Sequence, residues 1–432
     1  MKKTFRFLSM AALLVVGAIM TGCSSDDNID NPQQPANNDN LVTLTATVSF
    51  DGAAGTRAID GTTGTKTFES GKQIAVFYED ASGNLQKAVS TDFTPLTDAT
   101  KATFTVTLST PKSGGQIRYI YPASMAKALP SSPTAYTADD AVTIDYSGIF
   151  GSQDGTLTTL ADYDLAVKDA TLSGTDQPAT VTLTNPLAIC KFTFKDAGSN
   201  DITGVTRLTV SNGTNAYAVS TSGLDEIYVA MKPVASGNIA FTAATASETY
   251  FRTVTGKSLD ASKLYKNITV GSMVELAKGN VIGYDGNIYA SKTAAGSNAA
   301  AVIVYLGSDT KDATFKNGLA IALADEAQSN WSTAKSTCEG KTAITGAKWC
   351  LPSQDQWKQM FIANGGNVAD AHGLRTIIVN AGGKDWKLDI MIYWTSSEYD
   401  DDSAYAMNDI GYSTFVTNSK GAVCFVRACL VF

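Results

Sequence analysis

A single imidazole, His372, stands in this chain of 432 residues, within Ala371-His372-Gly373. Imidazole is the usual base and metal ligand near neutral pH. One histidine therefore excludes every multi-histidine metal site and leaves one candidate for base-assisted nucleophilic chemistry. Six cysteines could supply a nucleophile or disulfides: Cys23, Cys190, Cys338, Cys350, Cys424 and Cys429. A cysteine–histidine pair would have to use His372, which reads as an ordinary surface residue between a polar loop and a strand. No G-x-S-x-G, H-E-x-x-H, Walker loop or C-x-x-C occurs, so no enzyme, cofactor or metal centre is expected. Asp400-Asp401-Asp402 offers carboxylate oxygens to a hard cation, but a run of acids reads first as a solvated loop. What remains is recognition. The segment 394–413 sets Trp394, Tyr399, Tyr405 and Tyr412 among Asp, Asn and Ser. That mixture combines stiff aromatic area with directional hydrogen bonding, as suits a sugar or peptide ligand. The candidate binding residues are Glu398, Tyr399, Asp400, Asp402, Tyr405, Asn408, Asp409 and Tyr412, with Trp394 read as core.

The charge balance narrows the partners further. The chain carries 33 basic and 41 acidic residues. Lys2, Lys3 and Arg6 precede the apolar run 8–20, the pattern of a secretory signal and too short for a membrane span. Without those three bases, 30 stand against 41 acids, a net −11. So acidic a chain has no basic stripe for phosphates, which argues against nucleic acid. Met20-Thr21-Gly22-Cys23 resembles a bacterial lipobox, so 1–22 is read as a signal peptide and Cys23 as the lipidated first residue. Several acyl chains on one cysteine anchor stably where a single chain is marginal. The segment 23–40, with Ser24-Ser25-Asp26-Asp27, Pro32 and Pro35, has too few apolar residues to fold and reads as a tether. Its serine–acid run resembles the export signal of surface-exposed lipoproteins.

The elements that must position the candidate face change character near residue 275. All five Trp, the only His and four of the Cys lie beyond it, and the Thr-rich part before it alternates. Leu44, Ala46, Val48 and Phe50 fall on one face, with Thr43, Thr45, Thr47 and Ser49 on the other. Phe104, Val106 and Leu108 repeat the pattern, and further runs lie at 73–78, 116–121, 180–184, 189–195, 208–210, 227–231, 238–242 and 250–254. Period-2 runs between Gly, Asp and Ser predict antiparallel β-sandwiches: one at 41–185, a second at 186–275, with the seam near Asn185-Pro186. Cys190 reads as a small buried hydrophobe in a strand.

Lys191-Phe192-Thr193-Phe194-Lys195, Ile227-Tyr228-Val229-Ala230-Met231-Lys232-Pro233, Gly256-Lys257-Ser258-Leu259 and Lys263-Leu264-Tyr265 resemble the fimbrillin-like pilins, over roughly 41–275. The resemblance implies two transthyretin-like sandwiches in an outer-membrane lipoprotein precursor of type V pili. It also implies that a protease cuts after a basic residue beyond the first strand, and that a neighbour's donor strand fills the vacated groove. Thr56-Arg57-Ala58 stands where that cut would fall, between Arg57 and Ala58, in a Gly- and Ala-rich stretch.

From 276 onward the residues predict an α+β module. Strands are expected at 281–286 and 301–306. A helix is expected at 320–338, from the spacing of Ile321, Leu323, Ala324, Ala327, Trp331 and Ala334. A second helix should span 354–363, with Ser353 as N-cap and Gln356 as its capping-box partner. A hairpin begins at 393–399 and one last strand covers 423–432, which would turn Cys424 and Cys429 to opposite faces. Trp349-Cys350-Leu351-Pro352-Ser353, Trp394-Thr395-Ser396-Ser397-Glu398-Tyr399 and Val426-Arg427-Ala428 resemble the C-type-lectin-like/formylglycine-generating superfamily, nearest its "major paralogous" group. The resemblance covers about 280–432. It implies a stable frame of end strands, a variable surface before the last hairpin, and a disulfide from the first helix's end to the last strand, Cys338 to Cys429. Met407-Asn408-Asp409 only partly matches the calcium lectins' W-N-D, and their E-P-N-type element is missing.

Together these readings give a mainly β chain of two sandwiches and a lectin-like domain at 276–432. The expected role is that of a surface lipoprotein at the tip of a pilus, accepting a donor strand from other pilin subunits but giving none, and binding an extracellular glycan or protein. The rival is a non-pilus glycan-binding lipoprotein whose sandwiches are a spacer.

Overall fold

The alternation of Thr with Leu, Ala and Val in Leu41–Phe50 sets Leu44, Ala46 and Val48 inward and threonines outward. In this computed structural model, which describes residues 41–50, 67–160, 163, 165–366, 372–385, 392–410 and 412–432, the strand is internal in a four-stranded sheet. It runs antiparallel to Lys101–Ser109, with Leu44 opposite Val106 and Ala46 opposite Phe104. It runs parallel to Thr180–Leu183, with Val48 opposite Val181. On the outer face Thr45 and Thr105 hydroxyls meet at 3.0 Å, a cross-strand pair of the kind that ties sheets together. The inner face packs on a second sheet ordered Leu85–Val89, Ala75–Glu79, Gln116–Tyr121 and Ala166–Thr171. Phe104, Tyr119 and Tyr121 fill the space between them.

Gln116–Tyr121 is buried on both sides, because the far face of its sheet is covered too. Short helical turns at Ser147–Gly151 and Leu157–Leu160 pack there with strands from beyond residue 188. Gln153 is the polar clamp: its amide donates to the carbonyls of Ile149 (2.7 Å) and Ala230 (3.0 Å), and its oxygen accepts from the Ala230 N–H at 2.8 Å. A buried amide with its hydrogen bonds made is the state that avoids a desolvation cost.

The strands from 188 to 275 form one continuous eight-stranded arrangement. At its centre Ala188–Asp196 pairs antiparallel with Ile227–Met231 and parallel with Leu264–Glu275. Cys190 is fully buried there, and desolvation pushes its thiol up to about 12. Thr249–Leu259 meets Leu264–Glu275 only at Tyr250–Glu275 and Phe251–Val274. Beyond those pairs the two strands part around a mainly apolar groove of about 420 Å³.

Two further sheets build the C-terminal part. One, six-stranded, runs Ile288–Tyr289, Val281–Gly283, Ala299–Leu306, Gly318–Ala322, Cys429–Val431, Lys348–Cys350. The other, five-stranded, runs Glu326–Ser329, Cys424–Val426, Ile392–Glu398, Ser403–Ile410, Tyr412–Ser419. Gln354–Ala363 is a helix with the full capping box: Gln356 N–H donates to Ser353 Oγ at 3.1 Å and Ser353 N–H to Gln356 Oε1 at 2.8 Å. No described helix is long and apolar enough to cross a membrane.

Three local expectations are corrected. The helix expected over 320–338 is confined to Trp331–Glu339, preceded by strands Gly318–Ala322 and Glu326–Ser329. Gly318–Ala322 is buried on both faces, and such a continuous apolar run also satisfies helical spacing. The helix begins where Asn330 caps it, accepting from Thr333 N–H at 3.0 Å. His372 opens a helix, His372–Asn380, whose Leu374 and Ile378 lie four apart on the buried side. The single last strand is two, Cys424–Val426 and Cys429–Val431, which belong to different sheets.

Candidate functional site

The residues singled out in the sequence fall in two described regions: the first strand and the exposed end of the hairpin Ile392–Ser419. The first strand is held by side chains that water would otherwise reach. Burying Leu44 and Val48 contributes about 2 kcal/mol each. Phe50 stacks on Phe68 at 4.3 Å between ring centroids and meets Tyr121 edge-on at 5.8 Å. Taking this strand away would leave a slot between Lys101–Ser109 and Thr180–Leu183 with two rows of unpaired backbone groups and an apolar floor. Cys23, the tether 23–40 and the Arg57–Ala58 bond lie outside the described residues.

In the hairpin, Trp394 and Tyr393 are fully buried, so Trp394 is frame. Its indole donates to Ser329 O at 2.9 Å, and the Trp331 indole returns a bond to Thr395 O at 2.7 Å. Past Thr395 the pair of strands leaves the core. Tyr399 is 59% exposed and meets Tyr405 edge-on at 5.5 Å. Lys420, unnoticed in the sequence because nothing distinguishes it from an ordinary turn lysine, organises this end. Its ammonium reaches Glu398 at 3.0 Å and the Asp401 carbonyl at 3.0 Å, and sits 5.0 Å from the centre of the Trp331 ring. Asp400 is spent on the turn, accepting the N–H groups of Asp402 (3.0 Å) and Ser403 (2.7 Å). Partial desolvation pushes its carboxyl up, and the hydrogen bonds from Ser403 and Asp402 outweigh it, leaving the group below the usual carboxylate range. Asp402 is exposed.

The structure thus gathers Glu398, Tyr399, Asp400, Asp402 and Tyr405 at one end. It does not bring Asn408 to them. Three residues along the strand place Asn408 about 10 Å from Tyr405 and on the opposite face. Its position faces Ile392, and its Oδ1 is buried. The side chains of Asp409 and Tyr412 lie outside the described residues.

His372 is exposed at the start of its helix, whereas the described cysteines are buried or half-buried. Among the described residues no group of three or more His, Cys, Asp or Glu could hold a metal ion. Cys338 and Cys429, the pair that the lectin-like resemblance implies, are free thiols here, as are the other described cysteines, and they occupy opposite faces. Cys338 packs with Trp349 and Leu430 on one side of the six-stranded sheet, while Cys429 packs with Ile321 and Trp357 on the other. The residue directly opposite Cys429 is Cys350.

No protein-family model matches the chain, and no curated protein matches it. Solved structures do. The chain is similar to a candidate cell adhesion protein from Bacteroides uniformis, at 19% identity over 54% of this chain and 97% of that one, with a TM-score of 0.30. It is similar to a fimbrial assembly protein from Parabacteroides distasonis, at 10% identity over 54% and 91%, TM-score 0.28. A shaft pilin, SpaA from Lactobacillus rhamnosus GG, matches at 10% identity over 54% and 97%, TM-score 0.21.

Proposed function

We propose that the chain is a surface lipoprotein of the fimbrillin type that ends a pilus: it accepts a strand in its first sandwich and presents a ligand face on its lectin-like C-terminal module. The observation that carries this reading is an asymmetry between two strands. Leu41–Phe50 is internal in its sheet, yet nothing but the segment containing Arg57 ties it to the next described residue, so one cut would free it. Cys429–Val431 is internal too, between Gly318–Ala322 and Lys348–Cys350, and Phe432 beyond it is buried. Giving up that strand would open the six-stranded sheet. On this reading the subunit takes a donor strand in the place of Leu41–Phe50, while Cys429–Val431 stays in its sheet. Anchoring through acylated Cys23 holds it at the outer membrane until the cut, and no catalytic role is assigned.

The ligand is an extracellular glycan or protein, met by Tyr399 and Tyr405 with the polar groups around them. The test mixes the purified chain with a fimbrillin stalk subunit and an arginine-specific protease. The expected product is a strand-exchanged complex that resists dissociation in warm detergent and lacks residues 41–57. A chain that is cut but captures no strand, or is never cut, would instead be the spacer-borne glycan-binding lipoprotein.

A further inference from the structure

Three thiols stand close together where the helix Trp331–Glu339 and the strand Lys348–Cys350 meet the last strand, and two of them face each other. The register places Cys350 directly opposite Cys429 in an antiparallel pair. Opposed residues in such a pair stand about 4.5 or about 5.5 Å apart between Cα atoms. Both values fall within the roughly 4.4–6.8 Å that a disulfide spans. The two side chains share a face, packing against the same apolar cluster, and the Cys350 thiol lies near enough to perturb that of Cys429. Cys338 lies on the sheet's other face, and Cys424 and Cys190 belong to other sheets. From this placement we infer that Cys350 and Cys429 are an oxidisable pair that closes to a cross-strand disulfide when the chain meets a disulfide oxidant. The inference goes beyond the pilus reading and borrows from it only the oxidising, exported setting.

The chemistry has a defined order. Cys350 is half-buried and is the member of the pair that solvent reaches. Cys429 is fully buried, and its contact with Cys350 together with that burial pushes its thiol well above the usual range. Cys350 as thiolate attacks one sulfur of the oxidant's disulfide, forming a mixed disulfide and releasing one thiol. Cys429, giving up its proton, then attacks the Cys350 sulfur and expels the second thiol. Two protein thiols are oxidised, one oxidant disulfide is reduced, and the two protons leave on the released thiols. Burial pushes the Cys338 thiol up to about 12, which keeps it protonated and a poor competitor.

The bond would join the central last strand to the edge strand beside it and close a loop over 351–428, which contains the hairpin with Tyr399 and Tyr405. Cross-links that close long loops restrict the unfolded chain most.

The test uses the purified full chain, fully reduced, then exposed to oxidised glutathione, alkylated, digested and mapped by mass spectrometry. The expected result is one linked peptide pair carrying Cys350 and Cys429, alkylated Cys338, and a free-thiol count lower by two. Cys338→Ser should retain the link, and the melting temperature should rise by roughly 5 °C or more on oxidation. A Cys338–Cys429 link, or Cys350 and Cys429 both still alkylated after oxidation, overturns the inference. The mapping needs only the unmodified chain, so it decides the pairing even if the Cys338→Ser chain does not fold. The same mapping on chain trapped with alkylator in intact cells reads the compartment separately. Linkage in the tube with free thiols in cells would count against export and for the pairing.

Discussion

Arg427 donates from Nε to Asp325 Oδ1 at 2.7 Å, with the two side chains 0% and 6% exposed. The Tyr393 hydroxyl donates to the same oxygen at 3.2 Å, the Lys384 ammonium stands 3.3 Å from Oδ2, and Arg427 also donates to the Lys384 carbonyl at 3.0 Å. Arg427 sits at the break between Cys424–Val426 and Cys429–Val431, so this network joins the two sheets of the C-terminal module where the chain crosses from one to the other.

A buried pair gains little over a well-packed apolar pair, but removing one partner strands a charge. Arg427→Leu and Asp325→Leu should each cost about 3–5 kcal/mol, and the double variant clearly less than their sum. Urea unfolding of the four chains measures the coupling. Strict additivity would show that the two residues are independent supports.

How much of this was legible in the sequence depended on how many faces a segment buries. Leu41–Phe50 buries one face, so its alternation announced both strand and orientation. Ser353 and Gln356 act within one helical turn, so their capping box needed no tertiary information. Gly318–Ala322 buries both faces, and its small apolar residues carry no period that tells strand from helix. The same holds for 423–432, where the buried Arg427 marks a crossing between sheets that only its distant partner Asp325 explains. Glu398, Tyr399, Asp400, Asp402 and Tyr405 clustered because a hairpin end keeps neighbours together. Asn408 did not, because a strand turns alternate residues to opposite faces.

Cleavage after Arg57 should be coupled to assembly. Leu44, Ala46 and Val48 are buried in an internal strand, and losing it without replacement exposes their slot. Arg57→Ala should leave the chain uncut and reduce its recovery in pili at least tenfold, without lowering its melting temperature. Recovery at the unmodified level would show that strand removal is not the route of entry.

The hairpin end should loosen in acid. The Asp400 carboxyl lies below its usual range in the folded chain, so its contribution is complete above the unfolded value of about 3.9 and is lost as pH falls through the folded value. The amide resonances of Asp402 and Ser403 should titrate together with a midpoint below about 3.9, and Asp400→Asn should abolish the transition. A midpoint at or above that value would mean that the turn does not hold the charged form.

The binding face should depend on its aromatics more than on its acids. Tyr399 and Tyr405 touch edge to face at the exposed end, where aromatic anchors ringed by polar groups carry most of the affinity in known interfaces. Glu398 is already paired with Lys420 and Asp400 with its own turn, so neither carboxylate is free to give its full charge to a ligand. Tyr399→Ala and Tyr405→Ala should each weaken binding about tenfold or more, as read on an array of glycans and extracellular proteins. Asp402→Asn should change mainly the salt dependence, because exposed charges are screened. Tyr412→Ala probes the far end of the strand pair, which the clustered residues leave out, and should have the weaker effect. Trp394→Ala is the control: a fully buried indole lost from the frame should cost about 3–5 kcal/mol and unfold the module. Melting curves beside the binding curves separate the two kinds of loss. Normal binding by folded Tyr399→Ala and Tyr405→Ala chains would move the site off this face, and the acidic hairpin would then be solvated surface.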